Sequence, residues 1–164
     1  MALFRADLVD GLLAEAAIST IVGTNVFPII FTFEDMLNSR GNKNQFPRIT
    51  VETLSREEED NLTGHDGLYF ATYQISLFHE VHVKALRGRV NTTVTKERDL
   101  IRTNLDALLE ALEAYLKPLR TTVLGSHLVR RSHIANMTEE EFKIDKNRVI
   151  LVDRVIYECS FSKT

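Results

Sequence analysis

The chain has 164 residues, of which 44% are hydrophobic and 26% are charged. This length and composition indicate one globular domain whose core needs neither a metal nor a disulfide to fold. Its single cysteine, Cys159, excludes an internal disulfide and any multi-cysteine metal site. The net charge of −3 and the lack of a Lys/Arg-rich tract argue against a nucleic-acid-binding protein, because such proteins carry a basic surplus.

The N-terminal residues do not have the charged start and continuous apolar core of a signal peptide. No run approaches the roughly 18 apolar residues that a transmembrane helix needs. We therefore expect a protein that is cytosolic at synthesis and makes no membrane contact.

The first predicted element is a helix from about Leu3 to Ala17, with apolar residues recurring every four positions from Phe4. Gly23 ends this pattern, and the tripeptide 26–28 predicts a short strand closed by Pro28. Residues 34–45 are rich in Asn, Ser and Gly, which is typical of a loop. A loop of that length is more often functional than incidental.

The next segments predict an antiparallel pair of strands. Phe46 to Ser55 alternates through two β-branched residues, and Leu68 to His79 is the clearest strand of the sequence. Between them, residues 56–67 hold an acidic run and two glycines, which predicts a long polar loop.

The strongest predicted helix runs from about Thr95, a suitable N-cap, to Leu116, and Pro118 stops it. Two strands follow, Ser126 to Ala135 and Arg148 to Phe161. The polar residues 136–147 between them are predicted to form a loop. The sequence thus predicts a single α+β domain over residues 1–164. Its mainly antiparallel sheet has about four long strands, with two amphipathic helices packed on one face.

The closest approach to a metal signature is His79-Glu80-Val81-His82. A zinc-protease helix places its two histidines four residues apart, whereas these are three apart at the end of a strand, where they point to opposite faces. Strand-end or surface histidines are therefore favoured, and His127 and His133, placed on one strand face, are also given surface roles. Cys159 lies on the apolar face of its strand, so packing is favoured over nucleophilic catalysis.

Glycine-rich phosphate loops and serine-nucleophile motifs do not occur in the sequence. We therefore expect no enzymatic activity, no cofactor and no metal. A small metal- or ligand-binding protein that uses His79, Glu80 and His82 stays open as an alternative.

Six segments follow one another in a recognisable order: Leu12–Gly23, Asn25–Pro28, Phe46–Val51, Tyr69–Phe78, Asp99–Leu112 and Val149–Phe161. This order of helix, short strand, long strands, helix and closing strand resembles the tail-completion (tail terminator) proteins of long-tailed bacteriophages. The resemblance covers most of the chain and rests on pattern and order.

The resemblance implies a structural virion protein without catalytic residues. It implies a homo-oligomer, a hexameric ring that caps the tail tube protein, ends tail polymerisation and docks the head-tail connector or stopper protein. Such a ring sits at the head-proximal end of the tail after assembly in the host cytoplasm, and DNA passes its lumen without specific binding. Another neck or baseplate subunit of related fold is the alternative within the same class.

Interface residues are expected in the predicted polar loops and on the charged stripe of the long helix. A solvated surface is an equally good explanation for each of these positions. The candidates are Asn38, Arg40, Asn42, Glu57, Glu58, Glu59, Asp60, Arg98, Arg102, Asp106, Glu139, Glu140 and Glu141.

Overall fold

The computed structural model describes residues 4–38, 45–58, 67–82, 92–119, 122–145 and 148–163. The helices are α1 (Phe4–Ala14), α2 (Ala16–Val22), α3 (Phe33–Asn38) and α4 (Thr92–Leu116), followed by a 3₁₀ turn at Lys117–Leu119. The strands are β1 (Val26–Phe27), β2 (Arg48–Glu58), β3 (Tyr69–His82), β4 (Val123–Leu124), β5 (His127–Asp145) and β6 (Arg148–Lys163).

The strands form one six-stranded mixed sheet in the order β1-β2-β3-β6-β5-β4. The four long strands pair antiparallel, as the sequence predicts, and only the two-residue β1 pairs parallel, with β2. The prediction of an α+β fold with a mainly antiparallel sheet is thus confirmed in outline. The short strands β1 and β4 lie at the outer edges of the sheet.

The main core lies between one face of the sheet and the helices α1, α2 and α4. On β3, Ala71, Tyr73, Ile75 and Leu77 are buried here, as the alternation of the sequence predicts. The single first helix of the prediction is in fact two, because the chain is extended at Glu15. The break leaves Ala16 exposed and buries Ile18 and Val22 instead, which removes more apolar surface from water.

Helix α4 begins at Thr92, so Thr95 lies inside the helix, and the prediction of Thr95 as its N-cap is wrong. The helix ends at Leu116, just before Pro118, as predicted. Its apolar stripe, Leu105, Leu108, Leu112 and Leu116, is fully buried against the sheet.

A second apolar cluster lies on the opposite face of the sheet. There Phe31 and Met36 pack against Phe78, Ile150 and Val152. The two helices that the sequence predicts, α1 and α4, pack together on the other face as expected, and α3 is an additional helix on this face. The prediction that residues 34–45 form a loop is wrong in part, because α3 spans Phe33–Asn38. The polar residues of α3 face water, which made the segment look like loop in the sequence. Residues 39–44 lie outside the described residues.

The predicted loop over 136–147 is mostly strand, since β5 continues to Asp145 and pairs with β6 down to Arg148. Its polar side chains had suggested a loop. They are exposed instead because, among the described residues, no strand pairs with β5 along most of its outer side. The predicted loop over 56–67 begins later than expected, because β2 runs to Glu58; residues 59–66 lie outside the described residues.

Cys159 is buried in the main core, so the prediction that it is a packing residue is confirmed. Burial disfavours the charged thiolate and raises the pKa of Cys159 to about 12. Burial likewise raises the pKa of Tyr115 to about 12, and raises the pKa values of Tyr73 and Tyr157.

These groups predict a loss of stability in alkali. The folded pKa of the Cys159 thiol lies above its ordinary value of 9.0, so the thiol favours the folded state below about pH 9 and loses that contribution towards pH 12. We expect the free energy of unfolding in urea to fall steadily above about pH 9. Reaction of the native protein with a thiol reagent at pH 8 should be much slower than that of the unfolded chain. Rapid labelling of the native protein would contradict this placement of Cys159.

Candidate assembly surfaces

The sheet face opposite α1 and α4, called the open face, carries a depression of about 390 Å³. Exposed groups of both charge signs line it, and His133 Nε2 lies 3.1 Å from Glu158 Oε2. The candidate Glu57 is part of this lining. The other lining residues are Ser55, Phe70, Ala71, Thr72, Arg131, Cys159 and Ser160. The mixed charge suits contact with water or a polar partner better than an apolar ligand.

Four exposed apolar side chains cluster on the segment that leads into and through α3. Their exposed fractions range from 43% to 59%. We call this the apolar patch: Ile29, Ile30, Phe33 and Leu37. Large apolar side chains exposed side by side mark interaction surfaces more often than singly exposed ones do. The candidate Asn38 lies at its end and is also exposed.

A reciprocal cap fixes the start of α3 and so holds the apolar patch in place. The Thr32 N–H donates to Asp35 Oδ2 at 2.8 Å, and the Asp35 N–H donates to Thr32 Oγ1 at 3.2 Å. The backbone hydrogen bond from Thr32 lowers the pKa of Asp35. Below this cap, Phe31 and Met36 hold the segment on the sheet.

Beside the patch, the Arg48 side chain is buried at the start of β2. Its Cζ lies over the ring of Phe31 at 3.9 Å and over the ring of Phe27 at 4.4 Å. Burial lowers the pKa of Arg48, partly offset by the charge of Asp35. The guanidinium borders a cavity of about 250 Å³, called the arginine pocket, that is also lined by Ile29, Ile30, Phe31, Asp35, Asn38 and Gln45.

The opposite edge of the sheet is formed by β5. Among the described residues, β4 pairs with β5 only at His127 and Leu128, so no described strand lies along the rest of its outer side. Register shifts interrupt the ladder between β5 and β6 at three places. The candidates Glu139, Glu140 and Glu141 are exposed here and form what we call the acidic edge. Bulges and charges of this kind are typical of edge strands that must not pair indiscriminately.

Several charged candidates are engaged within the chain. Arg102 Nη2 lies 2.5 Å from Asp153 Oδ2, 3.0 Å from Asp106 Oδ1 and 3.3 Å from Glu139 Oε1. Asp153 is almost fully buried, so Arg102 compensates an internal charge and ties α4 to β6. On the open face, Arg154 Nη2 lies 3.1 Å from Glu140 Oε2. An interface role for Arg102, Asp106 and Glu139 stays a prediction.

The remaining candidates are placed less fully. Glu58 ends β2 and Arg98 lies within α4, and the structure describes the backbone of these two residues but not their side chains. Arg40, Asn42, Glu59 and Asp60 lie outside the described residues altogether.

His127 is not a surface residue, so the sequence-based prediction for it is wrong. It is 1% exposed, and its Nδ1–H donates to Asp7 Oδ2 at 2.6 Å. The register shift between Val129 and Arg131 places it on the opposite face from His133. The Ser126 N–H donates to the same carboxylate oxygen at 3.1 Å. These bonds anchor α1 to the β4–β5 turn.

His79 lies near the end of β3, and His82 is the last residue of that strand. His79 is partly buried, and desolvation lowers its pKa. The Glu80 carboxylate is bound by Arg148, whose Nε donates to Oε1 at 2.8 Å. In the part of the chain that the structure describes, no three His, Cys, Asp or Glu side chains are grouped as metal ligands would be. No helix of that part is long and apolar enough to cross a membrane.

Sequence reasoning missed Arg48 and the apolar patch. Arg48 was one residue within a predicted strand, and nothing in its immediate neighbours marks it as buried. The available signal was the aromatic spacing, with Phe27, Phe31 and Phe46 all falling near Pro28 and Pro47. Only the folded chain shows that two of these rings contact Arg48.

No model of a protein family matches the chain, and no curated protein matches its sequence. Among solved structures, its fold is similar to that of a chain in the virion of native gene transfer agent (GTA) particle. The TM-score is 0.51 at 12% sequence identity, and the match covers 96% of this chain and 93% of that chain. The likeness therefore extends over nearly the whole of both chains, and at this identity it shows a shared fold.

Proposed function

We propose that the protein is a structural subunit of a phage-like virion, and specifically a tail terminator. In this role it forms a ring that caps the tail tube, ends tube polymerisation and docks the head connector. The observation that carries the proposal is the fold shared, over nearly its full length, with a chain of a gene transfer agent virion. The order of sequence elements, which resembles tail-completion proteins, supports the finer assignment.

The distribution of exposed groups also supports a ring. A closed ring of identical subunits uses two different surfaces of each chain, which meet head to tail. The Ile29 and Ile30 end of the apolar patch borders Arg48 at the start of β2, at one edge of the long strands. The acidic edge lies on β5, at the other edge. Phe33 of the patch lies over the sheet, with its ring centroid 6.3 Å from that of Phe142. Two unlike surfaces at opposite edges of one sheet are what such a contact needs.

The proposed role requires binding but no reaction. The buried charges of Arg148 and Asp153 are compensated inside the fold, and Cys159 is held as a neutral thiol. The net charge of −3 is compatible with a lumen that DNA passes without sticking, since phosphates bind to basic surfaces. Partners in this role are the tail tube protein, the connector or stopper protein and further copies of the chain.

The proposal is tested by measuring mass and tail length. Light scattering coupled to size exclusion should give about six times the 18.7 kDa of one chain, alone or after addition of the tail tube protein. Particles made without this protein should carry over-long tubes in electron micrographs, and supplying the protein should restore the normal length.

A monomer in both mixtures, together with tails of normal length in its absence, would contradict the terminator role. Tails of normal length that lack heads or baseplates would instead indicate the alternative, another neck or baseplate subunit.

A further inference from the structure

The arginine pocket holds a buried cation for which the described residues provide no hydrogen-bonded acceptor. Arg48 is 7% exposed, and its Nε is buried without a partner. Its guanidinium makes no hydrogen bond to a described residue. Asp35 is the nearby carboxylate, but its Oδ2 accepts from the backbone and side chain of Thr32. A buried charged donor left in this condition costs free energy, so the described residues do not supply the acceptor that this site needs.

The chemistry of the pocket selects a carboxylate. Contacts with two aromatic rings leave the in-plane N–H groups of Arg48 as the places where an acceptor can bind. A planar guanidinium matches a carboxylate with two parallel hydrogen bonds. The cavity beside it, about 250 Å³, has room for an acidic side chain. Ile29 and Ile30 form an apolar rim, and a charged group enclosed by apolar contacts is typical of the centre of a protein interface.

The acidic edge of a second copy provides such a carboxylate. Glu140 lies on the open face, as Arg48 does, because their strand partners Val152 and Phe78 share that face. Its partner within the chain is Arg154. The Glu140 side chain is 42% exposed and the Arg154 side chain is 29% exposed. Ion pairs with this much exposure contribute little, so Glu140 can exchange Arg154 for Arg48 of a neighbour.

We propose that Arg48 is a carboxylate-binding site for the acidic edge of a second copy of this chain, with Glu140 as the group that enters the arginine pocket. The proposal rests on the proposed ring function and specifies its subunit contact. Because Arg48 and Glu140 lie at opposite edges of the sheet, each chain offers one site and one ligand. Repetition of the contact then builds a head-to-tail series that can close.

A labelled peptide with the sequence of residues 136–145 tests the contact without requiring a ring. We expect saturable binding to the whole protein, at least tenfold weaker for the Arg48→Met variant. Replacing Glu140 by Gln within the peptide should weaken binding to the wild type by a similar factor. Arg56→Met is the matched control, since Arg56 is an exposed arginine on the same strand, and it should bind the peptide as the wild type does. Thermal unfolding of both variants confirms that they fold.

Equal affinity of wild type and Arg48→Met for the peptide, or no saturable binding to the wild type, overturns the proposal. Equal binding of a scrambled peptide of the same composition overturns the assignment to a second copy, because any acidic partner would then serve. If the wild type and Arg48→Met both form rings, this contact is refuted but the ring function is not. Arg48-dependent peptide binding by a wild type that never forms rings supports the contact and refutes the ring function.

Discussion

The Arg148→Met variant should lose about 3–5 kcal/mol of unfolding free energy, because it removes the cation that binds the buried Glu80 carboxylate. The side chains of Arg148 and Glu80 are 6% and 8% exposed. Their two parallel hydrogen bonds measure 2.8 and 2.9 Å. The pair joins the end of β3 to the start of β6, at the end of the longest ladder on β3.

Urea unfolding followed by circular dichroism measures this loss, with Arg56→Met as the control for removal of a surface arginine. We expect the control to change the free energy of unfolding by well under about 1 kcal/mol. The double variant Arg148→Met/Glu80→Leu should recover much of the loss, since it removes both buried charges. A single variant as stable as the control would show that the pair is hydrated in solution.

The Arg102→Met variant is expected to destabilise the protein by a similar amount, about 3–5 kcal/mol. Asp153 is 2% exposed, and Arg102 is the cation that contacts it. Without Arg102, α4 loses a link to the centre of β6, and the buried carboxylate must either take up a proton or be hydrated. The same urea experiment measures the effect.

Lys117→Met is the matched control on the same side of the molecule. Lys117 Nζ lies 3.4 Å from Glu113 Oε2, and the lysine side chain is 69% exposed, so its loss should cost less than about 1 kcal/mol. The comparison also separates two roles for Arg102. Full stability with impaired assembly would make it an interface residue, whereas reduced stability assigns it to the fold.

The main core could be predicted from the sequence because the spacing of apolar residues along a strand or helix follows the face that is buried. The alternation over β3 and the leucine stripe of α4 name the buried residues correctly, since each apolar face has one covering layer. The failures have a common physical origin. Where both faces or an edge of an element meet water, side-chain polarity no longer reveals backbone pairing, as in β5 beyond Ala135 and in α3.

The candidate surfaces were predicted less well than the core. The acidic run at Glu139–Glu141 is exposed, on a strand edge rather than in the predicted loop, and its interface role stays a prediction. The apolar patch and Arg48 depend on contacts between segments far apart in the chain, such as Phe31 with Phe78. His127 was misplaced because a register shift reversed the alternation that the sequence suggests. Local patterns do not contain such information.

The acidic edge of β5 has a consequence for encounters between two separate copies of the chain. A long strand open on one side can pair with the same strand of another molecule, which leads to twofold dimers or aggregates. Antiparallel pairing of two β5 edges centred on Glu140 would bring two runs of three glutamates together, and like charges placed opposite one another across strands repel. The glutamates therefore oppose pairing between identical β5 edges, whereas they do not oppose contact with a surface that carries no such run of negative charge.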